Sequence, residues 1–151
     1  MADATLLIPA FVFPVRVYWE DTDAGGVVYY ANYLKFCERA RSEWLRSLGV
    51  HQQELAEREG VQFVVSEAQI RYVAPARLDD ALDVGVTCLK AGGVSIELQQ
   101  DVRRRAQGCD DAFGNLPLLA RMRVRIACVG VRDMRPTRMP DSVLRCLCNE
   151  R

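Results

Sequence analysis

Two carboxylates, Asp21 and Asp23, followed closely by Gly25 and Gly26, form the part of this sequence best suited to chemistry. A carboxylate can serve as general base, acid or nucleophile, and glycine lets backbone approach a ligand closely. An apolar periodic run begins a few residues later. The pair therefore sits just ahead of a helix whose first N–H groups can meet a developing negative charge. The same six residues, Asp-Thr-Asp-Ala-Gly-Gly, are also ordinary turn chemistry, and on pattern alone the turn is the commoner reading.

Other chemistries find less support. The lone histidine, His51, lies beyond the far end of the helix, roughly 30 Å from the aspartates at 1.5 Å per residue, which is wrong for a Ser-His-Asp triad. Glu38 and Glu43 stand on the helix beside Arg39 and Arg46 at spacings that make exposed ion pairs. No Gly-x-Gly-x-x-Gly or Walker pattern occurs, so nucleotide-dependent chemistry is not indicated. Cys37, Cys88, Cys109, Cys128, Cys146 and Cys148 contain no Cys-x-x-Cys pair, and none neighbours His51. They read as free thiols of a reducing, cytoplasmic setting rather than as disulfides or metal ligands, and no metal is expected.

The elements that would position the aspartates follow from periodicity. Residues 15–20, VRVYWE, read as a first strand ending at the Asp-rich turn. Tyr30, Tyr33, Leu34, Cys37, Ala40, Trp44, Leu45 and Leu48 recur at spacings of three and four, predicting a helix of about five turns closed by Gly49. Its broad apolar stripe calls for a sheet to pack on. Residues 51–60 predict a short polar helix. The runs 61–73, 81–90, 94–104 and 117–131 predict four strands joined as antiparallel hairpins, with a short terminal helix over 139–148. In the last strand Arg121, Arg123 and Arg125 alternate with Met122, Val124 and Ile126, so one face is wet and one dry. The class is α+β, in a single domain spanning 1–151.

Composition bounds the partners. Of 151 residues, 20 are basic and 20 acidic, for zero net charge. No global field draws the chain to nucleic acid or an anionic membrane. The N-terminal segment lacks a basic leader and is broken by Pro9 and Pro14, so neither a signal peptide nor a membrane span is expected. From residue 101 onward, 11 basic residues face 6 acidic ones. That tilt is weak evidence for an anion site, and an ordinary solvated face is the favoured reading.

The run VRVYWEDTDAGGVVYYANYLKFCERARSEWL over 15–45, with FVV at 63–65 and YVAPARLDD at 72–80, resembles the 4-hydroxybenzoyl-CoA thioesterase-like hotdog family. Within it, the similarity is to the branch of small bacterial acyl-CoA thioesterases associated with Tol–Pal genes, and it covers about 14–140. The resemblance implies a hotdog fold, a five-stranded antiparallel sheet wrapped around a long central helix, assembled as a homodimer or homotetramer. It makes Asp23 the catalytic carboxylate and Asp21 a supporting residue. Backbone N–H groups near Tyr30, Ala31 and Asn32 would polarise a thioester carbonyl.

Two positions depart from the branch: Trp19 where relatives commonly carry Tyr, and Tyr30 where they carry His. The second removes a proton shuttle, since a phenol with a pKa near 10 is no base at neutral pH. The activity implied is hydrolysis of a short-chain or aromatic acyl-CoA, or of an acyl-carrier-protein thioester. No cofactor is needed beyond the coenzyme A of the substrate. The alternative is a non-catalytic acyl-CoA-binding or scaffold protein. A hydratase is disfavoured because the only histidine is misplaced. Arg77, Arg103 and Arg123 are candidate partners for coenzyme A phosphates, although each reads more readily as a solvated charge.

Overall fold

The computed structural model describes residues 8–148. The expectation of an absent leader therefore falls partly on residues 1–7, outside the described part, as does the side chain of Cys148. The order of elements is β1 (Phe11–Arg16), α1 (Asn32–Ser47), α2 (Gln52–Glu59), β2 (Val61–Tyr72), β3 (Ala81–Ala91), β4 (Ser95–Arg104), β5 (Leu118–Gly130) and α3 (Asp141–Cys148). Every strand pairing is antiparallel, in the order β1-β3-β4-β5-β2. No described helix is long and apolar enough to cross a membrane.

The helix α1 lies on the inner face of this sheet, against β1, β3 and β4. It buries Tyr33, Phe36, Cys37, Ala40, Trp44 and Leu45, one stripe at helical spacing. Each large apolar side chain so buried contributes about 1.5–3 kcal/mol. Gly49, at φ +83°, ends the helix as expected, with Val50 N–H bonded back to Leu45 O at 2.9 Å. Facing α1, the sheet presents Leu82, Val84, Ile96, Leu98, Val102, Met122 and Val124. One polar stitch crosses this core: buried Gln100 donates to Cys37 O at 2.8 Å and accepts from Arg41 at 3.1 Å. Burial pushes the Cys37 thiol up to about 12, so it behaves as a neutral core group.

The first strand needs correction. It spans Phe11–Arg16, and Trp19–Asp21 form a single 3-10 turn. Pro14 sits inside the strand rather than before it. That is tolerated because β1 pairs only with β3 and forms one edge of the sheet. Two stripe positions also shift: Tyr30 precedes α1 and is 61% exposed, and Leu34 is exposed as well.

The hairpin expectation holds for β3, β4 and β5 but fails between β2 and β3, which lie at distant positions in the sheet. Residues 73–80 instead cross from one to the other. Three strand spacings of about 4.8 Å make roughly 14 Å, well within the reach of eight extended residues. The strap they form passes the start of α1 and becomes central to the site below.

The long β4–β5 loop folds over the outer face of the sheet. Beneath it, Asp101 accepts from Arg103 at 2.9 Å and from both Nε and Nη2 of Arg121, at 2.7 and 2.8 Å. Arg103 also donates to Leu116 O at 2.8 Å and lies over the Phe113 ring. Removing one member of a buried pair strands the other charge. Asp101→Ala is accordingly expected to lower stability by about 3–5 kcal/mol, read as a urea midpoint shift at unchanged slope. A loss under about 1 kcal/mol would show that the cluster is not effectively buried.

Candidate active site

The Asp-rich run folds into a small corner in front of α1. Thr22 bridges Val28, Asp23 N–H bonds Val27 O at 2.9 Å, and Gly26 N–H bonds Asp23 O at 3.0 Å. Gly26 holds φ +76°, a conformation natural to glycine and strained for any other residue. At Gly25 a Cβ would come within 3.1 Å of Asp23 Oδ1, against the carboxylate itself. Both glycines thus have local reasons to be there.

The two aspartates have different jobs. Asp21 is tied inward: its Oδ2 accepts from Tyr18 N–H at 2.8 Å, and its carbonyl accepts from Tyr29 N–H and from the Asn32 side chain, both at 2.9 Å. Asp23 is exposed at the surface of the corner, and its Oδ1 accepts from Gly25 N–H at 2.8 Å. Among the described residues its Oδ2 has no hydrogen-bond partner, which leaves one carboxylate oxygen available outward.

The start of α1 completes the corner. Asn32 N–H bonds Tyr29 O at 2.8 Å, so this backbone donor is already engaged. The Asn32 side chain is a brace to Asp21 rather than a group offered to a ligand. The N–H groups of Tyr30 and Ala31 have no acceptor among the described residues. Of the three positions expected to supply donors, two are open, beside the positive end of the helix dipole.

Aromatic rings wall the corner. Tyr30 packs edge-on against Tyr29 and Tyr72, with centroids 4.9 and 6.2 Å apart, and Tyr72 packs on Tyr33 at 5.4 Å. The Tyr29 phenol is pushed up, first by the neighbouring Tyr30 side chain, then by burial and the Asp23 charge. Burial pushes Tyr33 and Tyr72 up as well, so these three phenols remain protonated near neutral pH. Trp19 touches little and is 80% exposed, presenting an apolar plate beside the corner. Tyr18, its neighbour in sequence, is exposed as well.

The candidate arginines part company. Arg77 is exposed and bridges Val27, so it stands next to the corner. Arg123 is exposed on the outer face of the sheet, between Gln69 and Gln99, away from α1. Arg103 is buried in the Asp101 cluster, where Nη1 donates to Leu116 O and Nη2 to Asp101, so neither is offered to solvent. Glu43 pairs with Arg46, and Glu38 accepts from Ser42, as expected of a solvated face.

Sequence reasoning missed the strap. Ala76 N–H donates to the Tyr33 hydroxyl at 3.1 Å, and Val28 N–H donates to Ala76 O at 2.8 Å. Arg104 grips the strap from β4, donating to Pro75 O at 2.6 Å and to Asp80 at 3.0 Å. The only prior signal was that this stretch falls within the YVAPARLDD run.

A five-stranded antiparallel sheet wrapped on one long helix fits the hotdog arrangement that the resemblance implies. The comparisons agree. A family model described as the thioesterase-like superfamily matches residues 17–147, and the chain belongs to this superfamily. It is 43% identical over 138 residues to the acyl-CoA thioesterase YbgC of Haemophilus influenzae, covering 91% of this chain and 94% of the relative. It is 42% identical to the acyl-CoA thioester hydrolase YbgC of Escherichia coli O6:H1, covering 89% and 92%. Among solved structures, a 1,4-dihydroxy-2-naphthoyl-CoA thioesterase from Synechocystis superposes with a TM-score of 0.79 at 25% identity, covering 92% and 96%.

Because a Cβ at Gly26 would meet no atom within 4 Å, Gly26→Ala isolates the backbone cost of the corner. The expected loss is about 1–2 kcal/mol in thermal or chemical unfolding. A neutral or stabilising result would show that the positive φ at Gly26 is not required.

Proposed function

We propose that this thioesterase hydrolyses short-chain or aromatic acyl-CoA thioesters through the corner at Asp23. The carrying observation is the outward carboxylate oxygen of Asp23 beside the open N–H groups of Tyr30 and Ala31. The thioester carbonyl accepts from those N–H groups, which draws electron density onto its oxygen. Asp23 takes a proton from water as the water oxygen bonds to the carbonyl carbon. Alternatively, Asp23 attacks directly and water opens the resulting anhydride. In either route the C–S bond breaks, coenzyme A leaves as its thiolate and takes up a proton, and the free acid is released.

A thiolate is a good leaving group, so no strong base or metal is called for, and the loss of the branch histidine at Tyr30 is compatible with turnover. In this reading the enzyme needs no cofactor and works in the cytoplasm. Arg77, beside the corner, is better placed than Arg123 to meet a coenzyme A phosphate. Acyl-carrier-protein thioesters carry the same reacting group and are a second substrate class.

The reading also includes self-association. Strand β2 pairs on one side only, and residues 65–69 are exposed, so both its edge and its faces lack cover. Such an edge is a template for another strand, and β2 of a second copy meets it as a homodimer that can pair further into a tetramer. Light scattering at micromolar concentration is expected to give two or four chains per particle; a purely monomeric mass would overturn this.

The direct test of activity is thiol release from acetyl-, butyryl-, hexanoyl-, palmitoyl-, benzoyl- and 4-hydroxybenzoyl-CoA. Asp23→Asn is expected to lower kcat by about 10²–10⁴-fold with folding intact. Near-normal turnover in that variant would remove Asp23 from the mechanism. Tight binding of acyl-CoA without hydrolysis by the unmodified protein would favour a binding scaffold instead.

A further inference from the structure

The Tyr72 side chain ends the edge strand β2 and reaches back across the corner. Its hydroxyl donates to the carbonyl oxygen of Tyr30 at 2.9 Å. That carbonyl belongs to the same peptide unit as the Ala31 N–H, one of the two open donors at the start of α1. A peptide is planar, so a bond to its oxygen restrains the direction of its N–H on the other side. It also polarises the unit, because hydrogen bonds in a chain strengthen one another.

From this geometry we infer that Tyr72 is a positioning residue for thioester hydrolysis, holding and polarising the Tyr30–Ala31 peptide so that its N–H is aimed at the substrate carbonyl. The inference rests on the proposed role of the helix-start N–H groups. Three further observations support it. The residue at the helix N-cap, Ala31, makes no side-chain capping bond, so the turn before α1 is held by other means. Asn32 braces the turn from one side through Asp21, and Tyr72 braces it from the other. The Tyr72 ring is itself seated edge-on against Tyr33 and Tyr30, and Tyr33 is buried and anchored to Ala76, so the hydroxyl is delivered from a fixed base.

The position follows from the register. Tyr72 is paired with Ala120 of β5, and Ile70 with Met122, whose side chain is buried in the core. Period two therefore puts Tyr72 on the inner face, at the end of the sheet where α1 begins. The crossing strap departs at once from Val73, whose N–H bonds Leu119 O at 2.8 Å, and this holds the strand end in place.

The test is Tyr72→Phe, which keeps the ring and its edge contacts and removes only the O–H. The expected result is a fall in kcat of about tenfold, the worth of one neutral hydrogen bond, with KM changed by less than about twofold. A second readout separates polarisation from folding. In the Asp23→Asn background, isotope-edited infrared spectra of bound [1-13C]benzoyl-CoA report the thioester carbonyl stretch. Adding Tyr72→Phe is expected to move that band back toward its frequency in water.

An unchanged kcat with an unmoved band would overturn the inference. A raised KM at unchanged kcat would also overturn it, by showing a binding role instead. Failure of the underlying reading looks different: Asp23→Asn would remain active, or the bound carbonyl of the Asp23→Asn protein would show no shift from water even with Tyr72 present.

Discussion

The strap 73–80 is the constraint on which the rest of the site depends. It is held along its length by four residues: Leu119 of β5 at one end, Tyr33 of α1 through Ala76 N–H, Arg104 of β4 through Pro75 O and the Asp80 carboxylate, and Val17 after β1 through Asp79 N–H. The corner carrying Asp23 hangs on that strap through Val28 N–H to Ala76 O and the Val27–Arg77 bridge. A loop has little cohesion of its own; here its position relative to the helix start is inherited from a crossing segment anchored in the core. The carboxylate and the N–H donors come from segments either side of a turn, and the strap makes their separation a property of the whole sheet.

Much of this was legible in sequence because periodicity reports burial. The stripe Tyr33, Cys37, Ala40, Trp44 and Leu45 called for a broad surface such as a sheet, and the alternation from Arg121 to Ile126 matched a half-wet strand. The Gly49 and Gly60 stops were readable because both residues adopt positive φ. The β-branched run from 15 onward does not mark the start of the first strand, because proline is tolerated inside an edge strand such as β1. Tyr30 falls on the helical spacing although it lies two residues before α1, because spacing alone does not mark where the first turn begins.

The site was half legible. Type and spacing singled out Asp21, Asp23, Gly25 and Gly26, but could not tell which aspartate is tied inward; that depends on Tyr18, Tyr29 and Asn32 converging on Asp21. Backbone donors have no side-chain signature, so the engagement of Asn32 N–H and the openness of Tyr30 and Ala31 appear only in three dimensions. Arg103 shows the opposite problem. Its charge advertised a phosphate partner, while its actual partners, Asp101 and Leu116 O, are set by register and by a loop folding over the sheet.

The proposed chemistry requires a thioester carbonyl between Asp23 and the start of α1. Its most direct test is a crystal structure of Asp23→Asn with unhydrolysed benzoyl-CoA. The carbonyl oxygen is expected about 3 Å from the backbone nitrogen of Tyr30 or Ala31, with its carbon facing residue 23. A carbonyl bound elsewhere, or turned so that these N–H groups meet only solvent, would contradict it.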